Sequence, residues 1–292
     1  MHHGWVAHQT HDLRLDADRL DQLWDYADPG GSAERFRAEL SSGPAPTASA
    51  ELVTQLARAL GLQGRFDDAD ELLDGVRTEG LLAVVEVRVA LERGRLRNSS
   101  GTPVEAVPLF KQALDRARPA GEEFLAVDAA HMLAIADEDK AQEWTRLALG
   151  LIQTAGDPRT ARWSGALHNN LGWALHDGGD PAAALDEFSA ALAAYEATGT
   201  PEQQRIARWT VARCLRTLGR TAEALDIQLR VLESGPEDGY VSEELGELYL
   251  ADGDPAGAAP YFATAAELLG TDAWLVENEP GRLERLRLLG AH

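Results

Sequence analysis

One small residue returns along this chain at nearly even intervals, at Ala69, Ala106, Ala141, Ala184, Ala224 and Ala258, with spacings of 37, 35, 43, 40 and 34 residues. Five positions before it stands a glycine in five of the six units, at Gly64, Gly101, Gly179, Gly219 and Gly253, and Ala136 takes that place in the third. Four positions after it come Leu73, Phe110, Phe188 and Phe262, and three further on Val76, Ala113, Ala191 and Ala265. Residues at i, i+4 and i+7 share one face of a helix, so four of the six units carry an apolar stripe behind a small seam residue. The glycine suits the left-handed residue that ends the preceding helix. Pro103, Pro181 and Pro255 stand at the first helical position, each behind a capping Thr102, Asp180 or Asp254, and Thr221 is the capping candidate of the fifth unit. The pattern is a repeated helical hairpin. One hairpin cannot bury its own stripe, so the units must stack on one another.

The stretch SGALHNNLGWALHDGGDPAAALDEFSAALAA, residues 164–194, shows the hairpin most clearly. Gly172 and Ala184 allow the two backbones to approach at the short end of the usual interhelical range. Leu171, Gly172, Leu175, Ala184, Phe188 and Ala191 of this unit, and Leu245, Gly246, Tyr249, Ala258, Phe262 and Ala265 of the sixth, resemble the signature of the tetratricopeptide repeat family. The resemblance covers about residues 50–270, with most repeats longer than the usual 34, as in the kinesin light chain subclass. It implies an all-α, right-handed α-solenoid of about six such hairpins with N- and C-terminal capping helices. The expected division is a tail with capping helices over 1–49, the solenoid over 50–270 and a capping helix over 271–292. Leu20, Leu23 and Trp24, then Phe36 and Leu40, mark two short N-terminal helices around Asp28-Pro29-Gly30-Gly31, and SSGPAPTAS (41–49) reads as a linker. At the other end Leu283, Leu286 and Leu288 or Leu289 suit the cap. In the second unit RGRLRNSSGTP separates the helices, which implies a shifted or extended first helix. Gln228 stands where the fifth unit calls for a bulky apolar residue, and Pro108 and Pro260 predict a bend on the outer wall.

Charge and composition remove several classes of function. With 48 acidic against 27 basic side chains the net charge is -21, a field that repels nucleic acid and anionic membrane surfaces. The single cysteine, Cys214, excludes an intramolecular disulfide and a cysteine-rich zinc site, and fits a reducing cytoplasm as a buried filler. No apolar run approaches the roughly 18 residues of a membrane span, and the N-terminus lacks secretory signal features. His2, His3, His8 and His11 suggest either a metal-binding tail or a frayed terminus. No Gly-rich phosphate loop, HExxH or nucleophile elbow is present, so no cofactor or metal is expected.

In the family the first helices line a concave groove, and carrying its inward positions over implies a set of groove residues. These are Gln55 and Arg58 in the first repeat, Asn169, Asn170 and Trp173 in the fourth, and Trp209, Arg213 and Arg216 in the fifth. Tyr240, Glu243, Glu244 and Glu247 come from the sixth. Arg88, Glu92 and Arg95 share one helical face in the second repeat, and Asp128 and His131 are i, i+3 neighbours in the third. Arginine forks match carboxylates or phosphates, asparagine pairs with peptide backbone, and tryptophan offers a flat apolar platform. The expected ligand is a protein or peptide segment with an anionic group. Its candidate contacts are Arg58, Arg88, Asp128, His131, Asn169, Asn170, Trp173, Trp209, Arg213 and Glu243. Opposed to this stands the reading in which the arginines pair with the abundant acids and the tryptophans pack between helices. Asn170 matches one position of the family's carboxylate clamp, but the clamp lysines are absent. Asp128 and His131, with His168 or His176, suggest an acid/base pair or metal site, against a histidine bonded within its own helix. The function expected is a cytoplasmic scaffold or adaptor. A peptide- or anion-sensing regulator acting through another protein and a groove enzyme around Asp128 and His131 are the alternatives.

Overall fold

The computed structural model describes residues 14–291, and every regular element among them is helical. The chain divides between Trp163 and Ser164 into two compact units. The first holds α1 (Ala17–Leu23), α2 (Pro29–Ser41), α3 (Pro46–Leu62), α4 (Phe66–Asp74), α5 (Ala83–Ser99), α6 (Pro103–Ala120), α7 (Glu123–Ala136) and α8 (Ala141–Thr154), with short 3-10 turns at Glu138–Lys140 and Pro158–Trp163. The second holds α9 (Ser164–Asp177), α10 (Pro181–Thr198), α11 (Pro201–Thr217), α12 (Thr221–Glu233), α13 (Gly239–Ala251), α14 (Pro255–Leu269), α15 (Ala273–Asn278) and α16 (Pro280–Gly290). Within each unit successive helices pack against their neighbours in sequence as stacked hairpins.

The seam is built as its spacing demands. Ala69, Ala106, Ala184, Ala224 and Ala258 are fully buried, as are Phe110, Phe188 and Phe262 beyond them. Opposite them a glycine lets the ring in: a Cβ on Gly172 would lie 2.5 Å from Phe188, and one on Gly246 would lie 2.8 Å from Phe262. Gly94 meets Phe110 the same way, which places the second repeat's register and makes RGRLRNS the end of an unbroken α5. The hairpin turns take positive φ at Gly64, Gly101, Gly179, Gly219 and Gly253, a conformation costly for any residue with a Cβ. The third repeat has no such glycine, and the chain there crosses by the 3-10 turn after Ala136.

Local expectations divide between those met and those corrected. Ala141 opens α8 and is only half-buried; the seam passes instead to Thr145 and Ala148. Asp180 and Asp254 do cap, accepting from the amides of Ala183 and Gly257, but the Thr102 hydroxyl donates back to the Arg97 carbonyl and Thr221 lies one residue inside its helix. Residues 46–49 are the first turn of α3, because Pro46 suits the first helical position, so the link from α2 is only Ser42–Ala45. Leu289 rather than Leu288 packs with Leu283 and Leu286, leaving Leu288 59% exposed. Pro108 and Pro260 sit exposed in helices that continue through them. Gln228 is fully buried, donating to the Val241 carbonyl at 3.2 Å. Cys214 is buried as well, and burial pushes its thiol pKa up.

One seam escaped the spacing count. Asp28 caps α2 by accepting from Gly31, Pro29 begins the helix, and Ser32 and Phe36 are fully buried, the same arrangement as Asp180, Pro181, Ala184 and Phe188. Ser32 precedes Ala69 by 37 residues. The seam residue is serine rather than alanine, and its hydroxyl is held by the main chain of Asp25 at 2.8 and 2.9 Å. The N-terminal helices are thus a hairpin of the same stack.

Candidate ligand site

The inner face of the first unit is formed by α3, α5 and α7, and it is committed to internal contacts. Glu51 is fully buried, accepting from Arg88 Nε at 3.0 Å and from the Leu15 amide at 3.0 Å. Arg95 binds Asp128 and Glu92; burial disfavours its charge, yet these carboxylates hold its pKa above the ordinary arginine value. Residues 14–26 lie across this face. Arg14 donates through both terminal nitrogens to Glu122 at 3.1 Å, and Trp24 Nε1 donates to Gln55 at 3.1 Å. Arg58 stands under Trp24 and Tyr26 at 5.5 and 5.3 Å from their ring centroids, and Arg162 pairs with Asp21 at 2.6 Å. Arg88 and Asp128 are therefore engaged by this chain's own charged groups, whereas Arg58 has no ion pair among the described residues and is covered by the two rings, its Nε buried without an acceptor.

His131 does not form a pair with Asp128, whose carboxylate takes Arg95. Its ring packs 4.9 Å from that of Trp163, and Nδ1 is buried without a partner among the described residues. Burial lowers its pKa, Asp128 opposes that shift and Arg95 adds to it. In the second unit His168 bonds Glu187 at 2.6 Å and His176 bonds Thr217 at 3.0 Å. Among the described residues no three His, Cys, Asp or Glu side chains are grouped to hold a metal. The histidine-rich stretch from His2 to His11 lies outside them.

The inner face of the second unit, from α9, α11 and α13, is arranged differently. Trp173 and Trp209 approach to 6.3 Å between ring centroids, and the Arg213 guanidinium lies over both, at 5.3 and 5.4 Å. Trp209 is held by its indole N–H donating to the Tyr240 carbonyl at 3.2 Å, and Trp173 by the edge of Phe188. Asn169 and Asn170, one turn before Trp173, make no side-chain hydrogen bond among the described residues. A cavity of about 390 Å³ opens beside Arg213, bounded by Trp209, Tyr240 and a row of charges. Arg216 grips Glu244 at 2.6 and 3.0 Å; burial pushes the Glu244 carboxyl pKa up, against the pull of Arg216. Glu243 accepts from Arg282 at 2.9 and 2.5 Å, and Arg282 also meets Glu279 at 3.0 Å. Arg282 and Arg285 were not among the sequence candidates. Their signal was the three-residue step from Arg282 to Arg285, which puts both on one face of α16.

Among the described residues lining this cavity, Arg213 is the arginine without an ion pair, for Arg216 and Arg282 are both spent on carboxylates. Aromatic faces stabilise a cation without neutralising it, so Arg213 retains its N–H groups for an incoming anion. A larger cleft of about 780 Å³ lies along α3 where α4 stops short at Asp74, lined by Arg37, Arg65, Arg77, Asp68 and Glu71 around an apolar floor and without the paired indoles that hold Arg213.

Stacked hairpins with a small-residue seam define a helical repeat protein. Two family profiles agree: one described as tetratricopeptide repeat matches residues 169–239 and 228–273, and one described as tetratrico peptide repeat matches residues 87–195. The chain belongs to the tetratricopeptide repeat family. No curated protein matches it. Among solved structures it is similar to RapI in its apo form, 11% identical, over 93% of this chain and 80% of that one, with a TM-score of 0.68. The apo form of the quorum sensor NprR from B. thuringiensis is 12% identical over 98% and 91% of the two chains, with a TM-score of 0.54. A tetratricopeptide repeat protein from Parabacteroides merdae is 16% identical over 94% and 97%, with a TM-score of 0.50. At these identities the likeness is one of fold.

Proposed function

We propose that this protein is a scaffold or adaptor that binds a protein or peptide segment on the inner face of its second unit, with an anionic group of the ligand against Arg213. The observation that carries the reading is the Arg213 guanidinium, clasped by two indoles and lacking a carboxylate partner where its neighbours have one. Asn169 and Asn170 supply unspent donors and acceptors for an extended main chain, and Trp173 and Trp209 supply apolar area at low entropic cost. Of the four carboxylates lining the cavity, Glu244 is held by Arg216, Glu247 by Arg285, and Glu243 and Glu279 share Arg282, which leaves Arg213 as the cation for a compact anion. Arg58, Arg88, Asp128 and His131 are assigned to the architecture of the first unit, and Glu243 to orienting Arg282.

A peptide-sensing regulator is the second reading, since the same cavity would take a signalling peptide, and NprR is described as a quorum sensor. No helix among the described residues is long and apolar enough to cross a membrane, and the assignment to the cytoplasm rests on the single cysteine. The test is a pull-down from the native organism with wild-type, Arg213→Ala and Asn170→Ala protein. Partners captured by the wild type and lost by both variants support the reading; partners retained at equal yield by both variants overturn it.

A further inference from the structure

A second cavity, of about 300 Å³, opens beside the first in the same unit. Ile206, Val231 and Val241 form its apolar wall, and Trp209 and Tyr240 line both cavities, so the two share a ridge. That ridge is fixed by the hydrogen bond from the Trp209 indole to the Tyr240 carbonyl. Ile206 is 51% and Tyr240 39% exposed, apolar area left uncovered at the mouth of a concave site. The polar component is Arg205. It is 7% exposed, its Nη2 donates to Asp238 at 2.6 Å and its Nε to Glu202 at 3.3 Å. Its Nη1 is shut off from solvent and has no acceptor among the described residues. The two carboxylates thus fix the guanidinium within the cavity lining and leave the apolar wall as the accessible part.

We propose that this second cavity is a side-chain subsite of the same peptide site: it takes a large aliphatic side chain of the ligand, while the neighbouring carboxylate of that ligand pairs with Arg213. The inference rests on the reading of Arg213 as the anion contact. Charge supports one occupant over others. Asp238 is spent on Arg205 and on the amides of Tyr240 and Val241, Glu202 stands largely exposed, and the wall between them is too apolar to repay the desolvation of a charge. The ligand class is thus a peptide with leucine-, isoleucine- or methionine-like bulk beside an acidic group. The acid has two possible sources, an Asp or Glu side chain or the peptide's own C-terminal carboxylate.

The full chain is titrated with fluorescein-labelled peptides followed by anisotropy. One series is the amidated Gly-Ser-Gly-Leu-Glu-Gly, with alanine in place of the leucine, glutamine in place of the glutamate, or the two residues in reverse order. The other ends in leucine, as free acid or amide. The expected result is that replacing leucine by alanine weakens binding at least about tenfold. That discrimination disappears in Ile206→Gln, or in Ile206→Ala where the first variant fails to fold, while dependence on the acid persists. In Arg213→Ala the reverse holds. Preference for the free acid over its amide assigns the carboxylate to a chain end; preference for the internal glutamate assigns it to a side chain. Acid dependence with equal affinity for leucine and alanine peptides overturns the subsite and leaves the Arg213 reading standing. Affinity that depends on neither feature, or no binding by any peptide, overturns both.

Discussion

The two units present inner faces made from the same positions of the same repeat, yet one is filled and the other is open. On the first, Arg88 is answered by Glu51 and Arg95 by Asp128 with Glu92, while Arg58, which like Arg213 has two rings and no ion pair among the described residues, lies covered by Trp24 and Tyr26. On the second, Arg213 has aromatic neighbours and no carboxylate, while Asn169 and Asn170 are unspent. A position that lines a groove is therefore an opportunity for binding rather than a guarantee. What decides is whether the chain supplies its own partner. In the first unit the groove helices supply Glu51, Glu92 and Asp128 themselves, and residues 14–26 add polar and aromatic groups of the kind a peptide ligand would bring.

The comparison can be attacked most strongly at Glu51. Replacing it by alanine leaves Arg88 buried without its carboxylate and the Leu15 amide without an acceptor, and should cost about 3–5 kcal/mol in the stability of the first unit. Urea unfolding followed by far-UV circular dichroism should then resolve an early transition, and a single unshifted transition would break the account of the filled face. Trp24→Ala removes the indole from Gln55, Arg58 and Phe36, a loss of about 2–3 kcal/mol at a partly buried site. It should also make residues 14–26 cleavable by limited proteolysis while leaving peptide affinity at the second face unchanged.

Arg213→Ala should act oppositely, leaving the urea midpoint near that of the wild type while weakening an acidic peptide about tenfold, the scale of one charge-assisted contact. A large stability loss in that variant would turn the indole sandwich into a packing device. The smallest effect concerns pH. Burial depresses the folded-state pKa of His131, so the unfolded chain takes up the proton first; stability is full above the ordinary histidine value near 6.5 and is lost as pH falls through the depressed one. The slope is at most about 1.4 kcal/mol per pH unit and should flatten in His131→Leu, read from urea midpoints between pH 7 and 5.

Much of the fold was legible from short-range rules, because a seam alanine, a facing glycine and a left-handed turn glycine act over a few residues. Gly172, Ala184 and Phe188 could be placed on one contact from spacing, and Gly179 at the turn. The same rules failed where a residue stood in for another by chemistry. Ser32 does the work of a seam alanine because its hydroxyl is satisfied by the Asp25 main chain, and Gln228 fills an apolar position because the Val241 carbonyl accepts from it. The candidate site was half legible: Trp173, Trp209 and Arg213 are brought together as their inward positions imply. Arg282 and Arg205 were not foreseen, one lying in a segment read as a cap and the other on a face with no known partner.

By itself, then, the order of residues determined the hairpin, its period and which side chains the first helices turn inward, since each follows from the 3.6-residue turn and from where glycine and proline interrupt it. Only the tertiary structure decided which of those side chains remain available. That choice depends on pairs separated by dozens of residues, such as Leu15 with Glu51 or Glu243 with Arg282, and on burial that turns a surface charge into a structural one. Coulombic pairing and desolvation act through space, and no local pattern records them.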